Sequence, residues 1–453
     1  MTLETLVASL QAALARQDKN AIAALIHDIN PADMADFLQQ PELAGDAELD
    51  IALLMDMPLE RRAETFGYLP LEIQQRLAPR LSPAQLAELV TAMPADERAD
   101  LFNVLDETVR HNLFKRLARE EREDLRRLAS YQEGTAGAIM TSDYAAIPAT
   151  SSVAQALGVL RNTAPDKETI YQCYVVDDEH RLLGTISLRE LIVAPPGRPV
   201  EALMVRELVK ADVNTPQEDV ARQIARYDLM ALPIVDHDER LVGIVTYDDA
   251  MDVAEAEATE DMHKGATVGK LDGPLGKATP LSLYRSRVSW LVLLVFANIF
   301  TGAGIAYFED TIAAHLALLF FMPLLVASAG NAGAQASTLM VRGLATGEVN
   351  TRDWGRMLGK EVLVAGALGL TMAAAVLLIG IVRAGFAVAL VVALTMVIVV
   401  LVGSLVGMAL PFVLDRLKID PASASAPLIT TIADVCGVLV YFSMAAWLLD
   451  LAG

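Results

Sequence analysis

Pro427-Leu-Ile-Thr-Thr-Ile-Ala-Asp434-Val-Cys-Gly437 sets a carboxylate seven residues into a run that is otherwise apolar as far as residue 449. The run is long enough to cross a bilayer, which takes about 20 residues of helix. A charge at mid-membrane costs about 2.5–3.5 kcal/mol on insertion scales. Asp434 therefore needs water, a cation or a hydrogen-bond donor to offset it. Two readings follow. Asp434 belongs to an ion pathway, or it is a structural acid bonded one turn back to Thr430 or Thr431.

Four more apolar segments precede this one, near 288–308, 312–330, 361–382 and 386–414. Arg285, Arg287, Arg342, Arg352, Arg356, Lys360, Arg416 and Lys418 fall on one side of the five, and Arg383 alone on the other. The positive-inside rule then predicts a cytosolic N-terminus and an external C-terminus. Met1-Thr2-Leu3-Glu4 has no basic region or cleavage pattern, so no signal peptide is expected. The second segment holds Pro323 and then Ser328-Ala-Gly330-Asn331-Ala-Gly333-Ala-Gln335. Small residues let helices approach closely or let backbone open. Asn331 and Gln335 are i,i+4 and share a face, suited to a hydrated pathway or to interhelical hydrogen bonds. Pro411 is a candidate kink. Gly403 and Gly407 read as a packing pair.

The rest of the chain is chemically different. Residues 1–280 carry 27 Lys+Arg against 48 Asp+Glu, whereas 281–453 carry 9 of each. The whole net charge of −21 lies in the first part. That surface repels phosphate backbones, which argues against nucleic acid, and attracts divalent cations. Cys173 and Cys436 imply neither a disulfide framework nor a zinc site. His27, His111, His180, His237, His263 and His315 are scattered. No nucleophile–base pair or HExxH suggests an enzyme, and Gly276-Lys277 lacks a P-loop because Leu271 stands where glycine is required.

Within the acidic part, residues 57–128 repeat every 12 residues, with units opening at Met57-Pro58, Leu69-Pro70, Leu81-Ser82-Pro83, Met93-Pro94, Leu105-Asp106 and Leu117-Ala118. Pro at the first helical position, or Ser or Asp as N-cap, is expected to start each short helix. Stacked short helices at fixed period predict a small solenoid. A second repeat has an offset of 59 residues: Val176-Asp-Asp-Glu-His-Arg-Leu-Leu-Gly184-Thr-Ile-Ser and Val235-Asp-His-Asp-Glu-Arg-Leu-Val-Gly243-Ile-Val-Thr. Each copy predicts a hairpin followed by a helix and resembles a CBS motif, with Met140-Thr141 and Met204-Val205 as the two starts. The Ala- and Glu-rich stretch after Asp252 predicts a connecting helix, interrupted at Gly265, Gly269, Gly273 and Gly276.

Pro323-Leu-Leu-Val-Ala-Ser-Ala-Gly-Asn331-Ala-Gly-Ala-Gln335, Arg342-Gly-Leu-Ala-Thr-Gly-Glu348 and Pro427-Leu-Ile-Thr-Thr-Ile-Ala-Asp434 resemble the signature segments of MgtE magnesium channels. The resemblance covers nearly the whole chain. It implies a multidomain fold: an α-helical solenoid N-domain over 1–130, α/β tandem CBS domains over 131–252 (about 138–200 and 201–252), a connecting helix over 253–286, and a five-helix all-α transmembrane domain over 287–453. It also implies a homodimer in the lipid of a bacterial inner membrane, taking up magnesium and closed by magnesium on its cytosolic side.

Residue by residue, the resemblance makes Asp434 the pore ligand of hydrated magnesium. Pro323, Asn331, Gln335, Thr430 and Thr431 become pore-lining candidates. Asp96, Asp100, Glu218, Asp228, Asp249, Asp252, Glu257, Glu260, Asp261 and Asp420 match regulatory metal ligands. Ala426 stands where some members carry Asn, which removes one selectivity contribution. Some members bind ATP at the CBS pair. Here Gln172 and Leu229 stand where aromatics are expected, and Glu190 replaces an Asp, which counts against ATP. The competing reading is a proton-coupled divalent-cation transporter with Asp434 as proton carrier.

Overall fold

The computed structural model describes residues 9–450 apart from 11, 14, 15, 17, 18, 40–46, 270–274, 276 and 277. Met1–Glu4, Leu271, Gly273 and Gly276-Lys277 lie outside the described residues. The chain forms two compact units, 1–256 and 257–453.

The first unit begins with short helices. From Leu59–Gly67 through Leu71–Leu77, Pro83–Ala92, Ala95–Val104 and Glu107–Phe114 to Arg119–Leu128, they follow the 12-residue period. Their starts differ from the expectation in one respect. Pro58, Pro70 and Pro94 sit at the N-cap rather than the first helical position. With φ near −55° and ψ near 150°, proline already has N-cap backbone geometry, and no side chain caps these helices. Ser82 is a true capping box with Gln85. The apolar residue opening each repeat, namely Met57, Leu69, Leu81, Met93, Leu105 and Leu117, is buried. This core runs on without a break into Val220, Ile224, Leu232, Ile234 and Val245 of the second CBS copy.

Each CBS copy is a three-stranded sheet. In the first, β1 (Tyr144–Pro148) is parallel to β2 (Thr169–Val176), which is antiparallel to β3 (Leu182–Ser187). In the second, β4 (Ala211–Asp212), β5 (Ala231–Val235) and β6 (Leu241–Thr246) repeat that order. The hairpin turns place His180 and Glu239 at φ 67° and 64°. Leu182 N–H donates to Glu239 O, and Leu241 N–H donates to His180 O. The segments expected to start the copies are exchanged in space. Thr141 bonds reciprocally to Ile244 of the second copy, and Val205 to Thr185 of the first. Gly184 and Gly243 make this possible: a Cβ there would lie 2.8 Å from Met204 Sδ and 2.5 Å from Met140 Sδ, respectively.

The connecting helix is Tyr247–Gly265, so it starts directly at the end of β6 rather than at 253 and stops at the first glycine. Residues from Pro280 onward belong to the first apolar span, not to the connecting helix. Among the described residues, five helices are long and apolar enough to cross a membrane: Pro280–Tyr307, Ala317–Ala345, Trp354–Ala384, Phe386–Arg416 and Ala426–Leu449. Three spans differ in their bounds from the expected ones. The first and third spans start earlier because polar residues continue the helix below the apolar window. The second starts at 317 and ends at 345, because a separate short helix, Glu309–Ala314, fills the link before it. Large apolar side chains such as Leu363 and Val382 point outward, at 76% and 89% exposure, as a lipid-facing surface requires.

Candidate functional site

In the second unit, the second, fourth and fifth spans pack through small residues. A Cβ on Gly403 would lie 2.2 Å from Ala329 O, and one on Gly407 would lie 2.0 Å from Gly333 O. Gly403 and Gly407 are therefore packing residues, as expected. Gly330 accommodates the methyl of Thr430, which would be 3.0 Å from a Cβ there. Thr431 Oγ1 donates to Pro427 O at 2.9 Å. Neither threonine bonds Asp434, so the structural reading of that acid loses its donors. Asp434 Oδ1 is buried and, among the described residues, has no hydrogen-bond partner. On the second span, Pro323, Asn331 and Gln335 lie on one exposed stripe of the helix. Thr338 continues it, with its hydroxyl turned to Ala334 O at 2.9 Å. Sequence reasoning missed Thr338, although the i+7 position from Asn331 carries the signal. Exposed amides on an apolar span are unfavourable against lipid and suit water or a protein partner.

In the first unit, the Ala95–Val104 helix brings Asp96, Glu97 and Asp100 toward Glu168, just before β2, and Asp249, in the first turn of the connecting helix. Burial raises Asp96 well above the usual carboxylate range, and Asp249, Glu168 and Glu97 add to it. Burial, then Glu168 and Asp249, pushes Glu97 to about 8. Burial, then Asp249, pushes Glu168 to about 7. Burial, then Glu133 and Asp249, pushes Asp100 to about 6. Burial also raises Asp249, against the hydrogen bond it accepts from Thr246 Oγ1 at 2.5 Å. Asp96 Oδ1 and Glu97 Oε2 are buried without hydrogen-bond partners among the described residues. The nearby cations are engaged elsewhere: Arg98 and Lys167 both pair with Asp143, at 3.2 and 3.8 Å. Arg98 offsets part of the charge on Glu168, but Asp96 Oδ1 and Glu97 Oε2 stay orphaned among the described residues, which fits a hard divalent cation with its oxygen ligands. Glu97 and Glu168 were not among the expected ligands. Glu97 adjoins Asp96 in sequence, but nothing local marks Glu168.

Of the other expected ligands, Asp252 adjoins the cluster and adds to the charge acting on Asp249, whereas Glu218 and Asp228 are engaged elsewhere. Glu218 pairs with Arg222 at 2.6 Å, and Asp228 ends its helix with φ 52°. Asp252 is raised by burial and then by Asp248 and Glu255. In the second unit, Glu257, Glu260 and Asp261 occupy the half-buried side of the connecting helix. Lys264 follows one turn on, and its Nζ lies 2.5 Å from both Glu260 Oε1 and Asp420 Oδ2. Burial lowers the affinity of that amine for its proton, but the bonds to Asp420 and Glu260 outweigh it and leave it raised. Glu190 closes a capping box, accepting from Ser187 N and Oγ at 2.9 and 2.8 Å.

Known proteins resemble this chain along its whole length. A divalent cation transporter model of the MgtE family matches residues 322–444, the MgtE intracellular N domain matches 29–134, and CBS domains match 136–197 and 200–256. The chain is 40% identical over 452 residues to a magnesium transporter MgtE of Thermus thermophilus, covering 99% of each. It is 33% identical to that of Bacillus subtilis, covering 93% of this chain and 92% of the other. Among solved structures, the cytosolic domain of the Mg2+ channel MgtE in complex with ATP aligns with a TM-score of 0.52 and 38% identity, covering 55% of this chain and 99% of that one. Identity along the full length, with the same succession of domains, shows that this multi-pass membrane protein belongs to the MgtE family of magnesium transporters.

Proposed function

We propose that the protein is a magnesium channel of the bacterial inner membrane, with a cytosolic N-terminus, whose pathway runs past Asp434 and is closed by cytosolic magnesium. The observation that carries the reading is Asp434: a carboxylate in an apolar span whose Oδ1 is buried and unpartnered among the described residues. Magnesium gives up its waters reluctantly and often keeps several while using one or two carboxylates. A carboxylate with no protein donor is free to accept hydrogen bonds from those waters. Asn331, Gln335 and Thr338 extend a polar stripe along the second span, with Pro323 freeing a carbonyl above it. The alternative in which Asp434 carries a proton lacks a hydrogen-bonded partner for its Oδ1 among the described residues.

The closing half of the reading rests on the acidic cluster. Magnesium bound there supplies the positive charge that lets these carboxylates remain packed. Without it, the members that stay ionised repel one another across a poorly solvated space, and Glu97 stays packed only by keeping its proton. The Ala95–Val104 helix then loosens from the CBS pair and the pathway opens. Glu257, Glu260, Asp261 and Asp420 form the corresponding acidic face beside the membrane domain. A second copy of the chain completes the assembly. Ile192, Val193, Met230 and Met251 leave 56–79% of their area exposed on the CBS pair, an apolar surface suited to self-association.

Magnesium flux into proteoliposomes tests both halves, comparing wild type with Asp434→Ala and Asp434→Asn while cytosolic-side magnesium is varied. The expected result is wild-type flux suppressed at high magnesium and lost or unselective flux in the variants. Selective, undiminished flux in Asp434→Ala refutes the pathway. Acidification of the lumen in step with uptake replaces the channel with a proton-coupled carrier.

A further inference from the structure

Lys264 stands one helical turn beyond Glu260, in the i,i+4 order that favours an ion pair on a helix. Its second partner, Asp420, comes from a different segment, the link before the fifth span. Asp420 is held in a fixed pose: Oδ1 accepts from Ala422 N at 2.8 Å and caps the Pro421–Ser423 turn. That leaves Oδ2 directed at Lys264 Nζ, 2.5 Å away. Glu260 Oε1 meets the same nitrogen at 2.5 Å. One ammonium thus sits between two carboxylates that belong to the acidic face proposed to bind magnesium. Lys264, Glu260 and Asp420 are each only partly exposed, at 35%, 45% and 37% of the side chain, so the ammonium is not merely passing through solvent.

We propose that Lys264 is a positioning residue and resident cation of this regulatory site, holding Glu260 and Asp420 together in the metal-free protein and yielding them to a divalent cation. The inference rests on closure by magnesium as proposed above. Its chemistry is exchange of one cation for another on the same two oxygens, with Asp420 kept in place throughout by its cap. Two consequences follow. The ammonium competes with magnesium and so raises the concentration needed for closure. It also keeps the end of the connecting helix docked when magnesium is scarce.

The test uses the full-length protein in proteoliposomes and compares wild type, Lys264→Gln and Lys264→Arg. One readout is the cytosolic magnesium concentration giving half-maximal closure. The other is the rate of protease cleavage of the connecting helix in excess chelator, which does not depend on transport. Lys264→Gln should lower the half-closing concentration by about threefold to tenfold, the size that two partly exposed ion pairs support. It should also speed cleavage in chelator, and Lys264→Arg should restore both. An unchanged half-closing concentration or an unchanged cleavage rate in Lys264→Gln overturns the proposal. A wild type that magnesium does not close defeats the closure reading instead, and the cleavage rates still decide whether Lys264 is a tether.

Discussion

Glu97→Gln tests the acidic cluster by removing one ionisable group while keeping its shape. Glu97 is pushed from 4.5 to about 8, first by burial and then by Glu168, Asp249, Asp100 and Glu64. In the folded, metal-free unit it is mostly protonated at pH 7, whereas in the unfolded chain it ionises. The folded state therefore binds more protons between pH 4.5 and about 8, and stability falls as pH rises through that window. At pH 7 the unfolded chain lies about 2.5 pH units above the ordinary carboxyl value. At about 1.4 kcal/mol per unit, this favours unfolding by about 3 kcal/mol. Glutamine cannot ionise, so the variant should be more stable than wild type by about 3 kcal/mol at pH 7 and equal to it near pH 4.5. The assay is urea unfolding of residues 1–265 in excess chelator across pH 5–8. Glu168, near 7, and Asp100, near 6, act in the same direction, so the slope should lessen rather than vanish. Parallel pH profiles for the two proteins would refute the burial of Glu97 among like charges.

Magnesium should raise the unfolding midpoint of the wild-type fragment more at pH 8 than at pH 5, because protonated carboxylates do not bind metal. Equal shifts at both values would remove the cluster as the binding site. In the membrane unit, Gly407→Ala forces a methyl to within 2.0 Å of Gly333 O, a backbone atom that cannot rotate away. It should cost about 1–3 kcal/mol or more, read as a lower melting temperature in detergent. Gly366→Ala meets nothing within 4 Å and serves as the control. Matching melting temperatures would show that the spans separate more easily than their packing suggests.

The sequence carried the periodic features well. The 12-residue repeat appears as consecutive short helices, and the 59-residue repeat appears as two sheets with the same strand order. The five apolar windows appear as five long helices. What the sequence could not convey were contacts across long separations. Glu168 joins Asp96 and Glu97 only through folding, and no local pattern sets it apart from other surface acids. Lys264 was nearer to view, since Glu260 precedes it by four residues, but its bond to Asp420 spans 156 positions. Pro83 takes the first helical position as expected, whereas Pro58, Pro70 and Pro94 stand one position earlier, because proline's backbone suits an N-cap as well as the first turn.

The exchanged edges of the CBS copies also bear on how the chain is made. As the protein emerges from the ribosome, the first copy appears complete in sequence once β3 is out. Its edge still lacks Val205, and the Thr141 segment has no place until Ile244 arrives. At about 5–20 residues per second, that wait lasts roughly 5–20 s. During it, the backbone groups of the Thr141 segment are open to other nascent chains. Neither half can be borrowed as a stand-alone module, and an insertion in one hairpin disturbs bonds made by its twin. The two copies have been free to diverge in sequence but are bound to keep their turns in step.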